Sequence, residues 1–156
     1  MSRNLGRNRN TNRNRKYMPL PKECIFDTFF NEKDVIKGEI FLDSAKKASE
    51  SIHQSNMKKT SVRNFLRYLK GIEIPLRLPS GPKFEAVKPK LDELYSFVVY
   101  QTNRDKPPYS PVFRQLYSSH LGVIKRNEKE FVAFVKYISA IIAYLTELEN
   151  NKKYHN

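Results

Sequence analysis

The stretch from Asn127 to Asn150 constrains this chain more than any other. Apolar residues recur at Phe131, Phe134, Val135, Ile138, Ile141, Ile142, Leu145 and Leu148. Steps of three and four put them on one face of a helix. Neither glycine nor proline interrupts the run, and Ala133, Ala140 and Ala143 are small enough to let another helix approach closely. Glu128 and Glu130 fall in the first turn and Lys152 and Lys153 follow the last, as a helix dipole favours. A stripe this apolar has to be covered, and the preceding chain must supply the cover.

A chain of 156 residues fits one domain of about 130 residues plus a tail. The hydrophobic fraction, 39%, is low because much of the N-terminus is polar, yet it suffices for one modest core. Cys24 is the only cysteine, so no internal disulfide and no CxxC metal site can form. With His53, His120 and His155 as the only histidines, a histidine-rich site is not expected either. No cofactor is implied. No run of about 18 consecutive apolar residues argues for a membrane span, and the basic N-terminus lacks the apolar segment of a secretory signal. The expected location is the cytoplasm. A net charge of +13 points to acidic polymers as partners, nucleic acid first and an anionic membrane surface second.

Residues 1–22 read as a disordered basic tail and residues 23–156 as a helical bundle domain. The tail carries Arg3, Arg7, Arg9, Arg13, Arg15, Lys16 and Lys22 and no acid, which is +7 of the net +13 and leaves +6 for the rest. Its Arg-Asn pattern has too little apolar surface to offset the entropy of ordering. Such an arm either grips phosphates without reading sequence or only keeps the chain soluble. Ile25, Phe26, Phe29 and Phe30 form a short helix or strap that docks on the core. From Asp34 to Ser55 the pattern is helical, with Val35, Ile36, Phe41, Ala45, Ala48 and Ile52 inward and Lys46, Lys47 and Glu50 outward. Thr60 is the expected N-cap of the next helix, whose buried face is Val62, Phe65, Leu66 and Leu69. Lys59, Arg63, Arg67 and Lys70 cluster on another face, about 100° around the axis. That helix is expected to end near Gly71, and Pro75, Pro79, Gly81 and Pro82 make 71–83 a loop. Phe84 to Asn103 is helical again, with Leu91, Leu94, Tyr95 and Val98 as its stripe and Pro89 near its first turn. Ser110 and Pro111 read as N-cap and first residue of a further helix with Val112, Phe113, Leu116, Tyr117 and Leu121 on its face; Gly122 is its weak point. No period-2 run is long enough for a strand, so the fold class is all-α, a compact bundle of about five helices.

No catalytic constellation emerges: the chain has no phosphate-binding loop, no GxGxxG, no HExxH and no recognisable pair of carboxylates. His53, near a helix end, reads as a capping or surface residue. His120, on a helical face, reads as a structural histidine with satisfied ring nitrogens. Tyr95, Tyr117, Tyr137 and Tyr144 sit at helical spacing and read mainly as core, with base stacking as the other use of such rings.

Three segments, in order, resemble the small subunit of type III-A (Csm) CRISPR effector complexes. Thr60-Ser61-Val62-Arg63-Asn64 is similar to the Thr/Ser cap, hydrophobic residue and Arg-Asn of that family. Lys88-Pro89-Lys90-Leu91 leading to Tyr100-Gln101-Thr102-Asn103-Arg104-Asp105-Lys106 resembles its Tyr-x-x-x-Arg-x-Lys segment. The run from Phe131 through Phe134 to Ser139-Ala140-Ile141-Ile142-Ala143-Tyr144 resembles its closing aromatic helix, with Ser139 where the family has Glu. The likeness covers roughly residues 34–150. It implies a non-catalytic helical subunit that stacks as an inner filament, meets other subunits of the effector complex, and contacts guide RNA and target RNA through phosphates. Sequence-blind contact needs only cations. The RNA-binding candidates are Lys58, Lys59, Arg63, Arg67 and Lys70, strengthened by a helix N-terminus; then Arg104 and Lys106; then Lys125 and Arg126, with Lys136 beside them. Arg104 reads equally as a buried partner of a carboxylate. The alternatives are the small subunit of a related type III-B or III-D complex, a stand-alone basic RNA-binding chaperone that works through its tail, and a small ribonuclease using His53 or His120.

Overall fold

The computed structural model describes residues 18–154. Five helices carry the architecture: α1 (Asp43–Gln54), α2 (Lys59–Leu76), α3 (Phe84–Thr102), α4 (Pro111–Ile124) and α5 (Glu128–Tyr154). Two short 3-10 turns, Lys22–Cys24 and Gly38–Phe41, precede them. Among the described residues no strand forms; one isolated antiparallel bridge joins Phe30 and Ile36. The all-α expectation holds.

Helix α5 is the axis. Phe131, Phe134, Val135, Ile138, Ile141 and Leu145 are buried, and Ala133 with them, while Ile142 and Leu148 are half-buried and Ala143 is exposed. Helices α1, α2 and α4 pack along it. By length and composition the 128–151 segment is apolar enough to cross a membrane, which a count of consecutive apolar residues does not detect. In this fold its stripe faces protein, and Lys136 and Glu147 stand on its exposed side. Asn127 opens the helix by accepting the Glu130 N–H at 2.9 Å on its side-chain oxygen, the work of an N-cap.

The strap before α1 is fastened from within. Leu20, Cys24, Phe26 and Phe29 are buried. Residues 18–22, expected in the tail, belong to this strap: Leu20 packs in the core and its N–H donates to Gln115 Oε1 at 2.8 Å. The rest of the expected tail, residues 1–17, lies outside the described residues. The buried Glu130 carboxylate accepts the Phe29 N–H at 2.9 Å and the Thr28 hydroxyl. Tyr137 donates its hydroxyl to the Cys24 carbonyl at 2.8 Å. Burial pushes the Cys24 thiol up to about 11, so it is an inert thiol at neutral pH.

Three expectations fail locally, each for a readable reason. Residues 34–42 are not the first turns of α1. The Asn31 side chain accepts the N–H groups of Lys33 and Val35 at 2.9 and 3.0 Å, and Asp34 adopts φ 61°, so a tight turn replaces the helix. Val35 and Phe41 are accordingly exposed. Helix α2 does not stop at Gly71 but runs through Pro75 to Leu76. Ile72 and Leu76 pack against the core, and buried Glu73 is held by Lys70 at 3.6 Å and by Arg77. That packing outweighs one lost backbone bond near the helix end. Gly81 then fits where a Cβ would lie 1.8 Å from the Pro75 carbonyl oxygen, so the following loop folds onto the end of α2. Finally, Lys58 rather than Thr60 is the N-cap of α2.

The remaining boundaries agree with the pattern. Ser110 accepts the Phe113 N–H at 3.2 Å with Pro111 as the first helical residue, and α4 continues through Gly122 to Ile124. Pro89 lies beyond the first turn of α3.

Candidate nucleic-acid interface

Helix α2 carries the basic face that the sequence proposes, and the structure divides it. Arg63 and Arg67 are exposed, and neither has a carboxylate partner among the described residues. Lys59 and Lys70 are different. Lys59 Nζ lies 3.6 Å from Glu149 Oε2 of α5, and the Lys59 backbone N–H donates to the same carboxylate at 3.3 Å. Lys70 lies 3.6 Å from Glu73. The positive end of α2 is therefore already served by an acidic side chain of the protein. The attraction of a helix N-terminus for an outside anion, expected to strengthen this face, is spent on Glu149. Lys58, just before the helix, is exposed.

A second basic pair follows the end of α3. Arg104 and Lys106 are exposed in the corner between α3 and α4. Arg104 is not a buried partner of a carboxylate: its guanidinium donates to Gln101 Oε1 at 3.0 Å. Tyr109 of the same corner packs edge-on to Phe65 of α2 and Phe97 of α3, with ring centroids 6.3 and 5.9 Å apart. The corner is thus pinned against the inward face of α2, whereas Arg63 and Arg67 lie about 160° around that helix from Phe65. Lys125 and Arg126 are separate. They follow the C-terminal end of α4, about 20 Å along the helix from Ser110 by its rise per residue. Lys125 is tied to Asp92 at 2.8 Å, whereas Arg126 is exposed. Lys136 is exposed on α5.

Two exposed rings, one on α2 and one near the end of α3, are not singled out by helical spacing. Tyr68 is 49% and Tyr100 64% exposed. Tyr68 lies about 100° around α2 from the buried stripe, which is the signal that separates it from Phe65 and Leu69. The tyrosines expected in the core are partly there: Tyr117 and Tyr137 are buried with hydroxyls on the Leu91 and Cys24 carbonyls, while Tyr95 and Tyr144 are half-buried.

Among the described residues, neither His53 nor His120 belongs to an acid–base pair. His120 is buried, its Nε2 accepts the Phe26 N–H at 3.0 Å, and its Nδ1–H donates to the Leu116 carbonyl at 2.7 Å. Both ring nitrogens are used, and burial lowers its pKa to about 4. His53 is half-buried in the last turn of α1. A groove of about 580 Å³ between α1 and the 107–112 corner is lined by Met18, Met57, Tyr109 and Val112 among others, without a histidine, cysteine or carboxylate. What the surface offers is cations on a rigid helical frame, which suits phosphate contact.

A family model described as Csm2 Type III-A matches residues 36–150. No curated protein and no solved structure matches the chain.

Proposed function

The chain belongs to the Csm2 type III-A family, the small subunit of type III-A CRISPR effector (Csm) complexes, and from that premise we propose that it is a non-catalytic RNA-contacting scaffold. It meets other subunits of the complex, stacks with further copies as an inner filament, and holds guide and target RNA by their phosphates. The observation that carries this reading is the pair Arg63 and Arg67, exposed on α2 and without a carboxylate partner among the described residues. Point cations on a helix hold a ribose-phosphate chain of any sequence, which is what guide-directed recognition demands of its protein.

The test is Arg63→Ala with Arg67→Ala in the assembled complex. Retention of target RNA should fall roughly tenfold at physiological salt as two phosphate contacts disappear. The fall should be similar for unrelated target sequences, with the helical signal of the purified subunit unchanged. Unchanged retention would overturn the assignment, and a lost helical signal would make the arginines structural instead.

A further inference from the structure

We propose that the seam between α2 and α3 is a stacking platform for unpaired RNA bases, with Tyr68 and Tyr100 as its rings; this rests on the RNA-contacting role proposed above. A single exposed tyrosine is ordinary on a protein surface. Here two stand at one seam, 49% and 64% exposed, and Tyr68 is braced. The Tyr68 ring meets Phe97 edge to face, centroids 5.1 Å apart at 68°, and Phe97 meets Tyr109 at 5.9 Å and 88°. Tyr100 lies one turn beyond Phe97 and shares its shoulder of α3. The Tyr68 ring is thus set on a packed aromatic base that fixes its direction, so little side-chain entropy is lost when a base covers it.

The hydroxyls point the same way. Tyr117, Tyr137 and Tyr144 each donate to a backbone carbonyl, whereas Tyr68 and Tyr100 make no hydrogen bond among the described residues. The charge around the rings favours a nucleic acid over a neutral partner. Arg67 precedes Tyr68, and Arg104 follows Tyr100 by four residues, just past the end of α3. Glu93 of α3 and Asp105 of the corner after it pair with neither arginine among the described residues. Phosphates on these cations would bring the bases of the same strand over the rings. Stacking adds affinity without reading a hydrogen-bond pattern, so the platform is compatible with a sequence-blind scaffold. Bases inside a paired helix have no free face, which restricts the occupant to an unpaired stretch.

The experiment uses the full chain and two single-stranded decamers of equal charge, one RNA of mixed sequence and one ribose-phosphate strand without bases. The wild type should bind the base-bearing strand at least about fivefold more tightly. Tyr100→Leu should remove about fivefold or more from that strand and leave the abasic strand unchanged, and Tyr100→Phe, which keeps the ring, should restore binding. Tyr68→Leu should act in the same direction. It is paired with a thermal melt because Tyr68 leans on Phe97, and Tyr100 is the variant free of that concern. Equal binding of both strands, unaltered by Tyr100→Leu, overturns the platform and leaves phosphate contact standing. A Tyr100→Leu variant that loses self-association while keeping RNA affinity assigns the seam to a second copy of the chain and also overturns it. Failure to bind either strand overturns both readings.

Discussion

At the scale of single residues, the best-determined group is His120. Its ring lies against Phe29, Phe134 and Tyr137, with centroids 5.4, 5.6 and 5.9 Å away. The Phe26 N–H that it accepts comes from the strap, 94 residues earlier. Helical spacing identifies it as structural; the partner is illegible, because nothing local in the sequence announces a contact across that separation. In the unfolded chain this ring titrates near 6.5 and in the folded chain near 4, since burial penalises its charged form. Above 6.5 both states are neutral and the group adds no pH dependence. Between 6.5 and 4 the unfolded chain takes the proton first, so stability falls as pH falls, by about 3 kcal/mol over the whole window. Thermal melts at about pH 7 and about pH 5 of the wild type and of His120→Gln, which keeps an acceptor but does not titrate, isolate the effect. The wild type should lose more stability than the variant between the two; equal losses would contradict the neutral buried ring.

At the scale of elements, what the sequence hides is how one helix finishes another. Glu130 looks like a first-turn acid that favours the dipole of α5, and it is that, but it also ties down Thr28 and Phe29 of the strap. Glu149 looks like a surface acid and instead completes the N-terminus of α2. The breakers were misleading for the same reason: Gly71 and Pro75 predict an end that Ile72, Glu73 and Leu76 override through packing. Local propensity is legible and tertiary compensation is not. By contrast the stripe of α5, the Ser110–Pro111 start of α4 and the span of α3 needed no tertiary information. Glu130→Ala should leave the Phe29 N–H buried without an acceptor and lower the unfolding free energy by about 2 kcal/mol or more. Urea unfolding measures this as an earlier midpoint. An unshifted midpoint would mean that the strap is held by its aromatic side chains alone.

At the scale of the whole molecule, the fold separates two jobs. The greasy faces of α1, α2, α4 and α5 close on one another, and the cations are left outside on edges that those contacts make rigid. The basic character was legible from the composition; which cations are available was not. Lys59, Lys70 and Lys125 each face a carboxylate, whereas Arg63, Arg67, Arg104, Lys106 and Arg126 have none among the described residues. Ion pairing between α2 and α5, or between α3 and α4, depends on helix packing that spacing alone does not reveal. Contact between these cations and phosphate is tested most directly by salt titration of RNA binding by the purified chain. The logarithm of affinity should fall linearly with the logarithm of salt concentration, by about 0.7 per phosphate neutralised, with the same slope for two unrelated single-stranded sequences. Arg63→Ala with Arg67→Ala should make that slope shallower by roughly 1.4. An affinity that does not change with salt, or a double variant with the wild-type slope, would contradict it.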